Sequence, residues 1–510
     1  MVTKKDNNFQ IKIGAIISYF SIIFNILVGF IYTPWLVREI GKSDYGLYTL
    51  AMSVITFFLM DFGISGTISR FISLYKAKNQ KDKVENLLGI TYKLYILLDI
   101  IIFIVLIFIY CFINEIFVQL SSSEIYKFKI IFIIVGLYSL ISFPFMPLNG
   151  IFISYEKFIA LKLFDMLQKI GAILFSVIAL IGGKGLYSIV IINAAINIIV
   201  IILKNIYLKK KINLNINLKF NDKNLLKEIL NFSFWMMIIT FSQRLIINIS
   251  PSILGIFSGA VQISIFSIGL SLESYMWMFA NALNGLFLPK VTRLTLKDKD
   301  TNSILNLMIK VGRIQLIIIG ILFVGLIVLG KEFMILWMGK GFENSYYVSL
   351  LLIMPGLITL TQEIAYNYLI AINEVKYRAY DFVISALISI ILSLILTPKF
   401  GAIGAAAAAG VGIFIGHVII MNIIYAKIFK LDILKFFIEC HAKVSPALII
   451  TGVIGSIIQY KFPAGNLEVF IIKVIFLAIV YFIIIWVIVL DNYEKKIINN
   501  ILIIIKNKIK

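Results

Sequence analysis

The chain has 510 residues, of which 61% are hydrophobic, and its mean hydropathy is +1.00. These values lie far outside the range of soluble globular proteins and predict an integral membrane protein. The formal net charge is +21, but the basic residues stand in short segments between apolar blocks. A basic domain with interleaved aromatic residues is missing from the sequence, which argues against a nucleic-acid-binding protein.

About 20 apolar residues cross a bilayer as a helix, and the sequence predicts fourteen such spans. They are residues 13–36, 46–68, 88–113, 130–152, 160–182, 185–206, 229–250, 261–285, 311–330, 345–371, 379–397, 402–425, 444–461 and 469–490. The first is interpreted as an uncleaved span, because its apolar run is too long for a signal peptide and no small-residue cleavage site follows. Short turns with glycine, residues 182–185 and 398–401, separate spans 5 from 6 and 11 from 12.

The distribution of basic residues predicts the orientation of the chain in the membrane. With the N-terminus in the cytoplasm, 34 Lys and Arg residues fall on the cytoplasmic side, 9 on the outer side and 4 inside the spans. This asymmetry is the one that the positive-inside rule describes. Both termini are therefore expected in the cytoplasm, and the basic loops are expected to face the anionic lipids of the inner leaflet.

The sequence also contains an internal repeat with an offset of 217 to 219 residues. Pro34 and Gly41 recur as Pro251 and Gly259, and the segment around residue 156 recurs around residue 374. Each copy holds six spans, an even number, so the copies are expected to share one orientation as two parallel lobes related by a pseudo-two-fold axis along the membrane normal. The predicted domains are an N-terminal lobe (1–210), a C-terminal lobe (211–428), two extra spans (429–490) and a basic cytoplasmic tail (491–510).

Two motifs of enzymes and metal sites are incomplete. Residues 325–332 have the glycine and lysine spacing of a phosphate-binding loop, but Glu332 replaces the Ser or Thr that would hold Mg²⁺. The two histidines, His417 and His441, lie 24 positions apart and form no metal motif. Cys111 and Cys440 are predicted to lie on opposite sides of the membrane, which excludes a disulfide between them. The sequence therefore predicts no ATPase site, no metal and no cofactor.

Residues 34–73, PWLVREIGKSDYGLYTLAMSVITFFLMDFGISGTISRFIS, combine a proline at the end of span 1, an Arg-x-x-Gly turn, a Tyr-Gly-Leu-Tyr start to span 2 and an arginine at its inner end. A short turn and a small-residue span follow at residues 397–410. This pattern resembles the polysaccharide flippases of the O-antigen or capsule repeat-unit type. They belong to the multidrug, oligosaccharidyl-lipid and polysaccharide exporter superfamily, with the MATE drug antiporters and the lipid II flippases.

The resemblance implies an all-α transporter, not an enzyme, in the bacterial cytoplasmic (inner) membrane. It implies two six-span lobes with a cavity between them and an alternating-access mechanism. A polyprenyl-linked oligosaccharide would pass from the inner to the outer leaflet for cell-surface polysaccharide assembly. The implied partners are this lipid-linked substrate, membrane lipids and the polysaccharide polymerase machinery.

Ionisable side chains inside spans are candidates for substrate binding, because each costs about 2.5–3.5 kcal/mol at the centre of a helix in the bilayer. Arg244 is the strongest candidate, since arginine can bind a phosphate through two hydrogen bonds. The alternative is a structural ion pair with an acidic residue such as Glu273. The other predicted substrate-binding residues are Arg70, Lys169 and Asp99.

Two pairs of opposite charge on single helices leave a structural alternative open. Asp99 could pair with Lys93, and Asp165 with Lys169, which lie at positions i and i+4 of one helix face. In that case the charges would only neutralise each other.

Three carboxylates are predicted to bind a coupling ion, either Na⁺ or H⁺: Glu273, Glu363 and Asp61. Coupling to an ion gradient or to the membrane potential would then drive transport, and a hydrogen-bonded protonated carboxyl group is the alternative. Pro144 and Pro147 of span 4 and Pro355 of span 10 interrupt equivalent spans of the two copies. Such interruptions indicate hinges or a transport site, and simple kinks are the alternative.

Two other functions remain open at the level of sequence. A MATE-type cation-coupled drug antiporter would use the same carboxylates, although such proteins typically have twelve spans. A membrane polymerase or ligase of lipid-linked sugars would need a large outer loop. The longest predicted outer loops, residues 114–129 and 331–344, are short and contain few acids or bases.

Overall fold

The computed structural model describes residues 4–212, 215–284, 287–297, 301–463, 466–491 and 494–495. Every regular element within these residues is helical, and eleven helices among them are long and apolar enough to cross a membrane. The prediction of an all-α membrane fold is confirmed. The count of fourteen spans stays a prediction. Span 2 is broken into two helices, and spans 11 and 12 follow each other in Lys376–Lys427, where Gly401 has a non-helical backbone (φ 55°, ψ −132°) at the predicted turn 398–401.

The chain forms two compact units, one of Met1–Ile268 with Val375–Ile413 and one of Gly269–Glu374 with Phe414–Lys510. The helices up to the seventh predicted span are α1 (Lys4–Ile40), α2 (Lys42–Phe58), α3 (Ile64–Ala77), α4 (Lys81–Cys111), α5 (Ile113–Ile116), α6 (Ser122–Ser142), α7 (Pro147–Ser154), α8 (Phe158–Ile181), α9 (Leu186–Ile212) and α10 (Lys223–Phe257). The later helices are α11 (Ala260–Asn284), α12 (Leu288–Lys297), α13 (Thr301–Met338), α14 (Asn344–Ile353), α15 (Gly356–Thr359), α16 (Glu363–Ala371), α17 (Lys376–Ile413), α18 (Met421–Lys427), α19 (Ile433–Phe436), α20 (Lys443–Lys461) and α21 (Leu467–Ile484).

In the first unit, α10 packs along α17 and also contacts α2 and α3. Small residues allow close approaches in this region: a Cβ on Gly46 of α2 would lie 1.9 Å from the carbonyl oxygen of Ala260, the first residue of α11, which follows α10 in the chain. Near the other end of this interface the hydroxyls of Thr67 and Ser233 lie 2.6 Å apart. Small and hydroxylic residues are the usual contacts between helices in membranes, because they permit close packing and hydrogen bonding.

The second predicted span is broken between α2 and α3. Gly63 adopts a left-handed backbone with φ of 70°, and the carboxylate of Asp61 accepts hydrogen bonds from the backbone N–H of Ser65 (3.1 Å) and from the hydroxyl of Tyr95 (3.1 Å). The Asp61 side chain thus binds a free N–H group at the start of α3, as helix-capping residues do. The break is therefore stabilised by hydrogen bonds from Ser65 of α3 and Tyr95 of α4.

This break packs against the interrupted fourth span. A 3-10 turn at Phe143–Phe145 separates α6 from α7, and the Phe143 ring lies 5.1 Å from the ring of Tyr95. The hydroxyl of Ser65 donates to the carbonyl of Met146 at 3.3 Å. Backbone groups released by each interruption are therefore satisfied at the contact between the two, as a non-helical backbone inside a membrane requires.

Gly150 provides a test of this contact. A Cβ at Gly150 would lie 2.4 Å from the carbonyl oxygen of Ser65, whereas a Cβ at Gly66, one residue further along α3, would meet no atom within 4 Å. We expect Gly150→Ala to lower the free energy of unfolding by about 1–3 kcal/mol through overpacking. Gly66→Ala, the matched control, is expected to leave it unchanged or raise it by about 0.4–1 kcal/mol. Thermal unfolding of the purified variants in detergent measures both, and equal stabilities would contradict the proposed clash.

The backbone supports the internal repeat, both at Gly41 and Gly259 and at positions that the sequence comparison did not use. Left-handed backbone positions recur in pairs 217 or 218 residues apart. The pairs are Gly41 with Gly259, Glu156 with Asn373, and Gly183 with Gly401. The 3-10 turns Phe143–Phe145 and Leu360–Gln362 differ by 217 residues as well. The break at Asp61 has no counterpart, because α11 continues through the corresponding region.

In the second unit, α13 packs against α20 and α21, the helices of the two extra spans. Arg313 of α13 pairs with Glu494 at 2.7 Å and donates to the carbonyls of Val489 (2.9 Å) and Glu439 (3.2 Å). Both carbonyls lie in π-helical turns, Ile485–Val489 and Phe437–Ala442. A π-helical turn alters the regular backbone hydrogen bonding, and the guanidinium group supplies donors there.

A second ion pair joins the same three helices near their other ends. Lys473 of α21 is almost fully buried and donates to Glu332 (3.1 Å) and Gln459 (2.8 Å). The hydroxyl of Tyr481 donates to the carbonyl of Ile317 at 2.7 Å, between the two pairs. Glu332, which stands where the phosphate-loop motif would have Ser or Thr, therefore links α13 to the extra spans through its ion pair with Lys473.

Candidate functional site

A polar cavity of about 330 Å³ lies within the first unit, at the level of membrane-spanning helices. It lies between α1 and α8, and its polar lining residues are Ser21, Asn25, Lys162, Asp165, Gln168 and Lys169. Lys162 lies about one helical turn from the start of α8 and Lys169 about three turns from it. The cavity therefore occupies the half of the membrane span in which α8 begins.

The acidic residue of the cavity, Asp165, forms an ion pair with a lysine of the neighbouring helix α9. Asp165 forms an ion pair of 3.0 Å with Lys204 of α9, and Lys204 also donates to the side-chain oxygen of Asn149 at 3.2 Å. The Lys204 side chain is 9% exposed. Lys162 and Lys169 form no salt bridge or hydrogen bond among the residues that the structure describes. The lining side chains carry two positive charges and one negative charge, and the carboxylate of Asp165 also interacts with Lys204 behind the cavity.

Both predicted pairs of opposite charge on single helices are wrong. Asp165 pairs with Lys204 of the neighbouring helix instead of Lys169. Lys93 donates to the carbonyl of Phe220 at 2.9 Å, and Asp99 forms no ion pair or hydrogen bond within the described ranges. Spacing on one helix identifies residues that share a face, but a neighbouring helix supplies the closer partner here.

The remaining predicted substrate-binding residues lie elsewhere in the first unit. Arg70 lines a separate cavity of about 400 Å³ between α3 and α10, together with Glu228 and Asn231. Arg244 lies half-buried in the middle of α10, and it has no ion pair or hydrogen bond in the described part of the chain. The alternatives of phosphate binding and of a structural pair with Glu273 both stay predictions for Arg244. Of the four predicted residues, Lys169 alone lines the cavity between α1 and α8.

The three predicted coupling carboxylates have different surroundings. Asp61 accepts three hydrogen bonds through one oxygen, from the N–H and hydroxyl of Ser65 and from Tyr95, so an ion bound there would compete with these donors. Glu273 is 7% exposed and faces the side chains of Trp277 and Ser274 on its own helix. Glu363 begins α16. No group of three potential metal ligands occurs among the described residues.

The three predicted hinge prolines coincide with breaks in helices. Pro144 lies in the 3-10 turn between α6 and α7, and Pro147 is the first residue of α7. Pro355 lies between α14 and α15, where the tenth span is interrupted. Proline at the start of a helix removes only a donor that has no intrahelical partner. A role for these breaks in motion stays a prediction.

Sequence reasoning missed Lys204 and Asn149. Lys204 was counted among the cytoplasmic basic residues because it stands near the end of span 6, whereas α9 continues to Ile212 and buries it. A signal was present: Asn193, Asn197 and Lys204 lie within about 40° of each other on one face of a helix of 3.6 residues per turn. A polar stripe on an otherwise apolar helix indicates an interior face.

The described residues thus form a multi-pass helical membrane protein with charged side chains around a cavity between its spans. Residues 11–295, more than half of the chain, match the family described as polysaccharide biosynthesis protein, and the chain belongs to this family. No curated protein has a sequence that matches the chain.

Solved structures agree with this assignment. The chain is similar to a lipid II flippase, MurJ, in an inward closed conformation, with a TM-score of 0.68 and 17% identity over 94% of this chain and 97% of that one. It is also similar to a multidrug resistance MATE transporter of the MOP superfamily in an inward-facing conformation, with a TM-score of 0.64 and 14% identity over 82% and 99% of the two chains. A MOP superfamily transporter from Pyrococcus furiosus matches with a TM-score of 0.60 and 13% identity over 85% and 96%. At these identities the likeness shows the fold alone, and the match to the polysaccharide biosynthesis family supports the predicted family.

Proposed function

We propose that this protein is a flippase that moves a polyprenyl-linked oligosaccharide from the inner to the outer leaflet of a bacterial cytoplasmic membrane. The observation that carries the proposal is a pair of lysines, Lys162 and Lys169, that line a cavity between membrane-spanning helices and form no salt bridge or hydrogen bond among the described residues. Cations are costly at the level of the membrane, and such residues typically mark a substrate pathway.

The chemistry of the cavity fits an anionic lipid head group better than a cationic drug. Ammonium groups donate strong, charge-assisted hydrogen bonds to phosphate oxygens, and they repel a cation. The proposed orientation, with both termini in the cytoplasm, puts the start of α8 on the cytoplasmic side. The cavity then occupies the inner half of the membrane, at the depth from which a lipid-linked precursor would be collected.

The proposal is tested with purified protein in liposomes that contain a fluorescent polyprenyl-diphosphoryl oligosaccharide. A quencher that does not cross the membrane reports the fraction of head groups on the outside. We expect the protein to make inner head groups accessible, so that quenching rises above the level of protein-free liposomes. Equal quenching with and without protein would contradict the proposal.

Cation-coupled export of drugs is the second candidate, favoured by the buried carboxylate of Glu273 and by the MATE fold neighbours. In that case expression would raise resistance to cationic drugs, and Glu273→Gln would abolish the effect. Unchanged resistance on expression would exclude this candidate.

A further inference from the structure

The cavity is also lined by uncharged polar side chains whose hydrogen-bonding groups are not all engaged within the described part of the protein. Ser21 and Asn25 of α1 and Gln168 of α8 line the cavity. Ser21 and Asn25 make no side-chain hydrogen bond among the described residues. Gln168 makes one, from its amide nitrogen to the side-chain oxygen of Asn197 on α9. The side-chain carbonyl oxygen and the second amide hydrogen of Gln168 have no hydrogen-bond partner among the described residues.

The hydrogen bonding behind Gln168 fixes its position. Asn197 donates to the backbone carbonyl of Asn193 at 2.6 Å and accepts from Gln168, so both functions of its side chain are engaged. Gln168 is therefore held at the wall of the cavity with its unused groups beside Lys169, the next residue of α8. Amides that join membrane helices can be purely structural, but a structural role leaves the free groups of Ser21 and Asn25 unexplained.

We propose that Ser21, Asn25 and Gln168 form a saccharide subsite that binds the sugar attached directly to the phosphate. This inference rests on the proposed function and adds the part of the substrate that is recognised. Amides and hydroxyls both donate and accept hydrogen bonds, which matches the hydroxyl groups of a sugar, whereas lysine only donates. The subsite lies directly beside the two lysines that would bind the phosphates.

The cavity has room for a sugar beside a phosphate. Its volume is about 330 Å³, many times the roughly 10–15 Å³ that a single water molecule needs on the same scale. The subsite should consequently distinguish substrates by the sugar attached to the phosphate.

The test compares binding of two ligands to the protein in lipid nanodiscs: polyprenyl diphosphate and polyprenyl-diphosphoryl monosaccharide. The double variant Asn25→Ala/Gln168→Ala is expected to bind the monosaccharide compound about 10-fold more weakly, at 0.5–1.5 kcal/mol for each lost hydrogen bond. Its affinity for polyprenyl diphosphate is expected to stay within about twofold of the unaltered protein. Asn205→Ala is the matched control, because Asn205 of α9 bonds the Ile201 carbonyl of its own helix and does not line the cavity.

The outcomes separate the subsite from the proposed function. Equal weakening for both ligands would show that Gln168 acts by holding the helices together, and unchanged affinity for both would show that it contacts no sugar. Either result overturns the subsite and leaves the flippase proposal standing. If the unaltered protein binds neither ligand, the proposed function itself is wrong.

Discussion

Replacing both Lys162 and Lys169 with methionine is expected to reduce transport of a polyprenyl-diphosphoryl saccharide by at least about 100-fold. Each lysine would supply a charge-assisted hydrogen bond to phosphate worth about 1.5–3 kcal/mol, and about 1.4 kcal/mol corresponds to a factor of ten. Methionine retains most of the apolar volume of the side chain. Neither lysine forms a salt bridge or hydrogen bond among the described residues, so the abundance and folding of the protein should be unaffected.

The liposome assay measures this loss, and four further variants define its cause. Lys184→Ala removes an exposed lysine from the turn between α8 and α9 and should have no effect. Each single lysine variant should show an intermediate loss. A double arginine variant should recover part of the activity, since it restores both charges. Full transport by the methionine double variant would refute a role for this cavity in binding the head group.

Asp165→Asn is expected to destabilise the protein by about 1–3 kcal/mol. The side chain of Lys204 is 9% exposed, and that of Asp165 is 42% exposed. Breaking a fully buried ion pair costs about 3–5 kcal/mol, and the partial exposure of Asp165 lowers this value because solvent screens the pair. Removal of the aspartate leaves the buried lysine with only the side-chain oxygen of Asn149 as a partner, whereas Lys204→Met leaves an unpaired aspartate that is partly exposed. Lys204→Met should therefore be the milder of the two changes.

The double variant Asp165→Asn/Lys204→Met carries no stranded charge and should recover most of the lost stability. Thermal unfolding of the four proteins in the same detergent measures the coupling between the two positions. If the double variant is no more stable than Asp165→Asn, the ion pair does not contribute to the fold.

The sequence predicted those parts of the fold that depend on local chemistry. Long apolar runs identified the membrane class, and the prolines at 144, 147 and 355 marked the breaks in spans 4 and 10. Gly41 and Gly259, aligned through the repeat, both have a left-handed backbone. Proline restricts the backbone, and glycine tolerates positive φ values that other residues avoid, so the residue type alone indicates these features without tertiary information.

The partners of charged residues could not be predicted in this way. Asp165 and Lys169 share a helix face, yet the ion pair forms with Lys204 on the next helix. The break at Asp61 could likewise not be predicted from the sequence, because its stabilisation depends on Tyr95 of α4 and on the contact with Met146. Such interactions are decided by the packing of helices against one another, which residue spacing along one helix does not contain.

Equilibrium binding of polyprenyl diphosphate and of uncharged polyprenol to the protein in nanodiscs tests the central claim most directly. If the cavity binds the anionic head group, the diphosphate should bind at least about 100-fold more tightly, by the same lysine contribution. In the Lys162→Met/Lys169→Met variant most of this difference should disappear. A preference for the diphosphate that persists unchanged in that variant would show that the head group is recognised elsewhere in the protein.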